Sequence, residues 1–223
     1  MRTLLKSVLK PILKVLYKYY MRPGRQVKID GLKFKVESGV FHPGFFFSSK
    51  ILKNQLLTLD LQGKTVLDIG SGSGILSIFA ASKQAKATAI DISEQAVKAT
   101  KENAALNGLQ IEVICSNLWK NLPEKQFDII VVNPPYYPQN PAAEAQHAWY
   151  CGENFEYFSR FYAGLRTYLH QKSVVLMVLS EDCDIEQISR LATQARFALH
   201  ERLSRKNLWE TNFIFEIRRS EDH

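Results

Sequence analysis

Residues 66–81 read VLDIGSGSGILSIFAA, and the change of character inside this stretch decides the fold. VLDI is a short apolar run holding one acid, Asp68, whereas ILSIFAA has the composition of a buried helix; Gly70, Gly72 and Gly74 separate the two. A strand that passes into a helix through glycines can turn tightly. It also lets backbone amides approach a ligand beside the positive end of the helix dipole. The next apolar run ends as IDIS (90–93), placing Asp91 about twenty residues beyond the loop, where an acid accepts hydrogen bonds from ribose hydroxyls. A dinucleotide fingerprint, GxGxxG, needs a small third residue so that the helix packs closely. Here that position is Ile75, so the loop suits a nucleoside-bearing ligand better than a dinucleotide.

Outward from the loop, short apolar runs alternate with helical stretches. The runs are TVLDI (65–69), ATAI (87–90), IEVIC (111–115), DIIVV (128–132) and SVVLMVL (173–179). Between or after them lie ILSIFAASK, SEQAVKATKENAALN, NFEYFSRFYAGLRTYL and DIEQISRLATQ. This pattern predicts an α/β fold, a doubly wound parallel sheet covered on both faces. Two further strands, near 197–203 and 212–217, are joined by a loop alone. The expectation is a seven-stranded, mostly parallel Rossmann-like sheet with a C-terminal antiparallel strand. Upstream, VKIDGLKFKVE alternates around Asp30-Gly31 as a hairpin does, and GVFHPGFFFSSKILKNQLL turns into a helix beginning near Ser48. We divide the chain into a basic extension, 1–29, and a domain, 30–223.

DIIVVNPPYYP (128–138) poses the chemical question. Two successive prolines fix two backbone angles and remove two amide donors just where a buried strand ends. That is costly for a plain turn, and it leaves carbonyl oxygens facing a guest. The corner follows the fourth strand and so faces the same crevice as the glycine loop. A planar nitrogen suits it, since the lone pair of an amide or aromatic amine is delocalised and needs help to attack. The Asn133 side-chain oxygen and the Pro134 carbonyl can each accept one N–H, orienting the NH₂ group and favouring the charge that develops on nitrogen. Tyr136 can stack on the planar group, and Tyr137 and Pro138 shape the mouth. No strong general base is required, because the product loses its proton readily.

With 223 residues, 46% apolar and 23% charged, the composition is globular. The net charge of +7 is local: eight of the 29 basic residues lie in 1–29, which has no acid, leaving 21 against 22 acids elsewhere. In MRTLLKSVLKPILKVLYKYYMR (1–22), lysines at 6, 10, 14 and 18 form one stripe, because four residues advance about 400° around a helix. Leu5, Leu9, Ile12, Leu16 and Tyr19 lie opposite, interrupted at Pro11. Three readings fit this amphipathic segment: a helix packed on the domain, an arm for RNA or ribosome contact, or a membrane-surface helix. Its apolar runs are too short for a membrane span or a secretory signal. Cys115, Cys151 and Cys183 match no CxxC spacing, so a cytoplasmic location is expected. His42, His147, His170, His200 and His223 form no HxxxH or HxH pair, and no metal site is expected. Trp119, Trp149 and Trp209 read as packing residues, while Glu144 and His147 lie on the loop after the proline corner.

The GxGxG loop with an acid two residues earlier resembles the S-adenosylmethionine loop of class I methyltransferases. Together with NPPY (133–136), the chain looks like the HemK-type amino methyltransferases, closest to their small single-domain branch. The likeness covers roughly residues 36–219 and includes AWYCGENFEYFSRF (148–161) and SRKNLWETNFIFEI (204–217). It implies S-adenosyl-L-methionine as cofactor and N-methylation of a protein glutamine amide, or of the exocyclic amine of adenine in RNA. A binding module that keeps the fold without catalysis is a third class. By the resemblance Asn133, Pro134 and Tyr136 are catalytic. Asp68, Gly70, Gly72, Gly74, Asp91, Ile92, Asn117 and Leu118 hold the cofactor, Asp91 at the ribose and Asn117 near the adenine. Two positions depart from the family: Asn117 replaces an aspartate, and Phe45–Phe47 replace an acidic or threonine-containing stretch, as core or as a wall over the site. The small branch can depend on a small zinc-binding activating partner, and the N-terminal extension is expected either to replace that partner or to dock another.

Overall fold

The computed structural model describes residues 24–35, 37, 47–207 and 210–220. A hairpin of β1 (Gln26–Ile29) and β2 (Leu32–Lys35) turns at Asp30-Gly31 and is followed by α1 (Phe47–Leu56). The chain then alternates through β3 (Thr65–Ile69), α2 (Ile75–Ser82), β4 (Lys86–Asp91), α3 (Glu94–Leu106) and β5 (Glu112–Cys115). It continues with β6 (Phe127–Val132), α4 (Glu156–Leu165), β7 (Leu169–Ser180), α5 (Ile185–Gln194), β8 (Phe197–Lys206) and β9 (Thr211–Arg219). The expected helix over the basic segment and the Phe45–Phe46 pair fall outside the described residues, as does Trp209.

The large sheet has the order β5-β4-β3-β6-β7-β9-β8. Its first five members pair in parallel, while β9 runs antiparallel to β7 and β8. The chain leaves β3 for β4 and β5, then returns to place β6 on the other side of β3. Strand order therefore reverses between β3 and β6, the place where open α/β sheets bind ligands.

Central strands here are buried on both faces, and the two-residue period divides their side chains between two cores. Val66, Ile129, Val131, Leu176 and Val178 pack with residues of α1 and α2. Leu67, Ile69, Ile130, Val132 and Met177 pack with residues of α4 and α5. The same parity sends Asp68 toward α2, where its Oδ2 accepts the Ser77 amide at 3.0 Å. It also sends Asn133, one residue past β6, toward α1.

Helix α4 buries Phe158, Phe161, Tyr162 and Leu165, the i, i+3, i+4, i+7 stripe of an amphipathic helix. Its Gly164 is a contact point: a Cβ there would overlap the Trp119 indole. That ring stacks on Tyr168 at 4.6 Å and donates Nε1–H to the carbonyls of Arg160 and Phe161 at 3.1 Å, so it cannot move aside freely. Alanine gains about 1 kcal/mol of helix propensity over glycine, but overpacking costs about 1–3 kcal/mol. Gly164→Ala should therefore lose about 1 kcal/mol net and lower the thermal midpoint by about 2–4 °C in calorimetry.

Candidate active site

The glycine loop is built by its neighbours as much as by its own residues. Gly70 and Ser71 donate their amides to the Ile90 carbonyl at 2.9 and 3.0 Å, closing the turn onto β4. Helix α3 supports the loop from behind. Thr100 Oγ1 donates to the Gly72 carbonyl at 3.1 Å, and buried Asn103 donates to the Ser73 carbonyl at 2.9 Å. Asn103 Oδ1 also accepts the Lys35 amide at 2.7 Å, so one side chain ties the hairpin to the loop. Gly70 has φ +72°, and a Cβ there would meet nothing within 4 Å. Its missing side chain thus leaves room in the cleft that it lines.

Asp91, at the end of β4, crosses to the loop. Its Oδ2 accepts the Gly72 amide at 2.9 Å and its Oδ1 accepts the Ser93 amide at 3.0 Å. Beyond β5, Leu118 adopts φ +52°, an uncommon conformation for a branched residue and a strained one. The turn is held by Ser116 Oγ, which donates to the Leu118 carbonyl at 2.7 Å and accepts the Asn121 amide at 3.0 Å. Asn117 and Leu118 line the cleft, as do Tyr157 and Arg160 of α4.

At the other end stands the proline corner. Asn133 Nδ2 donates to Ser49 Oγ at 3.1 Å and Ser48 Oγ at 3.4 Å, both in the first turn of α1. The amides of Tyr136 and Tyr137 donate to the Trp149 carbonyl at 3.2 and 3.0 Å, and the Cys151 amide returns to the Tyr137 carbonyl at 2.9 Å. These bonds clamp the ends of the loop 138–150, which carries a 3₁₀ turn at Glu144–Ala148. Burial pushes the Tyr136 phenol well above its ordinary range, so Tyr136 stays a neutral aromatic surface.

Loop and corner face one cleft of about 820 Å³, a size ordinary for a small-molecule site. Asp68, Gly70, Gly72, Asp91, Ile92, Asn117, Leu118, Asn133, Pro134 and Tyr136 all line it. Gly74 does not; it caps α2 at φ +79°, where a Cβ would come within 2.7 Å of Thr100 Cγ2. Its absent side chain serves helix packing. Trp119 packs in the core as expected, whereas Trp149, expected as a packing residue, is 38% exposed and lines the cleft with His147. The cleft is acidic. Asp68, Asp91, Glu156 and Glu210 line it, with Arg160 as the permanently charged cation among the described lining residues. Burial pushes Asp68 up to about 7, and the nearby Asp91 charge adds to this, against the opposing hydrogen bonds from Ser77.

The Methyltransferase small domain family model matches residues 31–194. The chain belongs to that family. It is accordingly a domain of the S-adenosylmethionine-dependent methyltransferase type, the donor expected from its glycine loop and acid. Among curated relatives, a putative protein N5-glutamine methyltransferase of Methanocaldococcus jannaschii is 42% identical over 113 residues, covering 50% of this chain and 55% of that protein. Ribosomal RNA small subunit methyltransferase C of Salmonella choleraesuis is 41% identical over 115 residues, covering 50% of this chain and 33% of that protein. The chain thus spans about half or less of these relatives' length. The T. thermophilus 16S rRNA methyltransferase RsmC, solved with AdoMet and guanosine, superposes with a TM-score of 0.61 at 21% identity, over 87% of this chain and 50% of that one. That likeness shows the fold. The methyltransferase small domain here suits its donor chemically: acidic walls face a cofactor carrying sulfonium and ammonium charges, and open space lies over Gly70. No helix among the described residues is long and apolar enough to cross a membrane.

Several residues of the site carry no motif. Ser48 and Ser49 reach Asn133 across more than eighty residues of sequence. Thr100 and Asn103 had a local signal: they are polar residues on the buried stripe of an alanine-rich helix. Arg160 and Glu210 reach the cleft from the outer side of α4 and from the β8–β9 loop, where sequence spacing gives no hint.

Proposed function

We propose that this domain is an S-adenosylmethionine-dependent N-methyltransferase whose acceptor is a glutamine side-chain amide in a protein. The cofactor supplies a methyl group bonded to a cationic sulfur. Gly70 leaves space along one wall, Asp91 would accept the ribose hydroxyls, and Asn117 and Leu118 would flank the adenine. Asn133 Oδ1 and the Pro134 carbonyl would each accept one N–H of the acceptor, holding its plane so that nitrogen is in line to bond the methyl carbon as the C–S bond breaks and the neutral thioether departs, with inversion at carbon. Tyr136 lies against the planar group, and the proton on the new N-methyl amide leaves to solvent.

The charge of the cleft carries the protein reading: the Asp91, Glu156 and Glu210 carboxylates line it against Arg160, with buried Asp68 about half ionised near pH 7. A polyanion entering there meets repulsion where a nucleic-acid site gathers lysine and arginine. The second reading, a base amine in RNA, draws support from the 41% identity to the ribosomal RNA methyltransferase and from the basic residues of 1–29. Tritiated methyl transfer into a cell extract, followed by protease or nuclease digestion, separates them. We expect the label to be released by protease alone; release only by nuclease would overturn the glutamine reading in favour of RNA.

A further inference from the structure

We infer that Ser48 and Ser49 are positioning residues that fix the face of the Asn133 amide, an inference that rests on the proposed acceptor chemistry at that corner. The terminal torsion of asparagine is broad and nearly two-fold, so nothing in Asn133 itself decides whether oxygen or NH₂ meets the acceptor. The wrong face would set two N–H donors against the N–H groups of the acceptor. Two hydroxyl oxygens accept from Nδ2, at 3.1 Å for Ser49 Oγ and 3.4 Å for Ser48 Oγ; a flipped amide would require both hydroxyls to turn and donate to Oδ1. Among the described residues no donor reaches Oδ1 of Asn133, which leaves that oxygen as the acceptor the site presents.

The hydroxyls can do this because α1 is rigidly mounted. Ile51, Leu52 and Leu56 are buried beside α2, β7 and β9. Lys53 is 2% exposed, pairs with Asp30 of the hairpin turn, and lies 4.7 Å from the Phe79 ring centroid. A lysine buried to that degree is kept by its partner and by packing of its stem. Hairpin, α1 and α2 therefore form one support, and the half-buried first turn of α1 points two hydroxyls at the reacting corner.

The test has two readouts. In ¹⁵N spectra, the Asn133 side-chain NH₂ pair, assigned by its disappearance in Asn133→Asp, should exchange more slowly than the side-chain amides of exposed asparagines. In Ser48→Ala/Ser49→Ala it should exchange as fast as they do. Single-turnover transfer from tritiated S-adenosylmethionine to the protein fraction of a cell extract should fall at least tenfold in this variant. S-adenosylhomocysteine affinity should stay within twofold, and Ser48→Thr/Ser49→Thr should recover most of the rate. Fast exchange in the wild type, or a rate within twofold in the double alanine variant, overturns the inference. Joint loss of rate and S-adenosylhomocysteine affinity also overturns it, because α1 would then be scaffold alone. A wild type that labels neither protein nor nucleic acid defeats the proposed function, while the amide exchange still decides the orientation of Asn133.

Discussion

Asn133→Ala is expected to lower single-turnover methyl transfer by about 10²–10³-fold, the range found when one preorganised polar group facing developing charge is removed. S-adenosylhomocysteine affinity should change less than twofold, because Asn133 sits at the opposite end of the cleft from Asp91 and Leu118. The fold should survive. The substitution removes two hydrogen bonds at a half-buried site, worth about 1 kcal/mol each, and the freed serine hydroxyls can turn to water. A midpoint lower by about 4–8 °C is the accompanying signature. If the variant keeps more than a tenth of the wild-type rate, the acceptor nitrogen is not held by this side chain and the proposed chemistry fails. An alanine that loses cofactor affinity in step with rate would instead make Asn133 a wall of the cofactor site.

The elements nearest the chemistry were also the easiest to read in the sequence. TVLDI is β3 residue for residue, and DIIVV is β6 within one residue, because a parallel strand buried on both faces reads as an unbroken apolar run. The turn Asp30-Gly31 marked its hairpin, with both residues at positive φ. By contrast, β7 begins at Leu169, four residues before the SVVLMVL run. HQK carries no strand pattern; that extension is held by a local bond, His170 N–H to Ser173 Oγ at 2.8 Å, and a tertiary one, Ser173 Oγ–H to the Phe127 carbonyl at 2.7 Å. The site divides the same way. Residues carried by strand ends, Asp68, Asp91 and Asn133, could be named because strand register and topology force them into one crevice. Ser48, Ser49 and Glu210 could not, since each arrives from an element whose docking angle no local pattern specifies. Gly74 shows the limit from the other side: the motif is one string, yet Gly70 and Gly72 line the cleft while Gly74 lets α2 pack on Thr100.

Cofactor affinity should rise about tenfold between pH 6 and pH 8, and Asp68→Asn should flatten that profile. Asp68 lies on the cleft wall with its side chain 1% exposed as a residue, and burial, helped by the Asp91 charge, pushes it up to about 7. An acid at that value is about one-tenth ionised at pH 6 and about nine-tenths ionised at pH 8, so a cationic ligand that needs the carboxylate gains about tenfold. Linkage works in the opposite direction on the empty domain. The folded state holds this proton more tightly than the unfolded chain, whose aspartate titrates near 3.8. The group's contribution to stability is therefore fully present below about pH 4 and is lost as pH rises through about 7. A cofactor bearing ammonium and sulfonium groups restores the charge balance, so the thermal shift it produces should grow over the same window. Titration calorimetry at pH 6, 7 and 8 in buffers of different ionisation enthalpy reads both effects at once. Proton release on binding should be largest at pH 6, fall to about half a proton at pH 7 and nearly vanish at pH 8 in the wild type, and be absent in Asp68→Asn. A pH-independent wild-type affinity would mean that Asp68 is ionised before the ligand arrives, and that its bond to the Ser77 amide outweighs its burial.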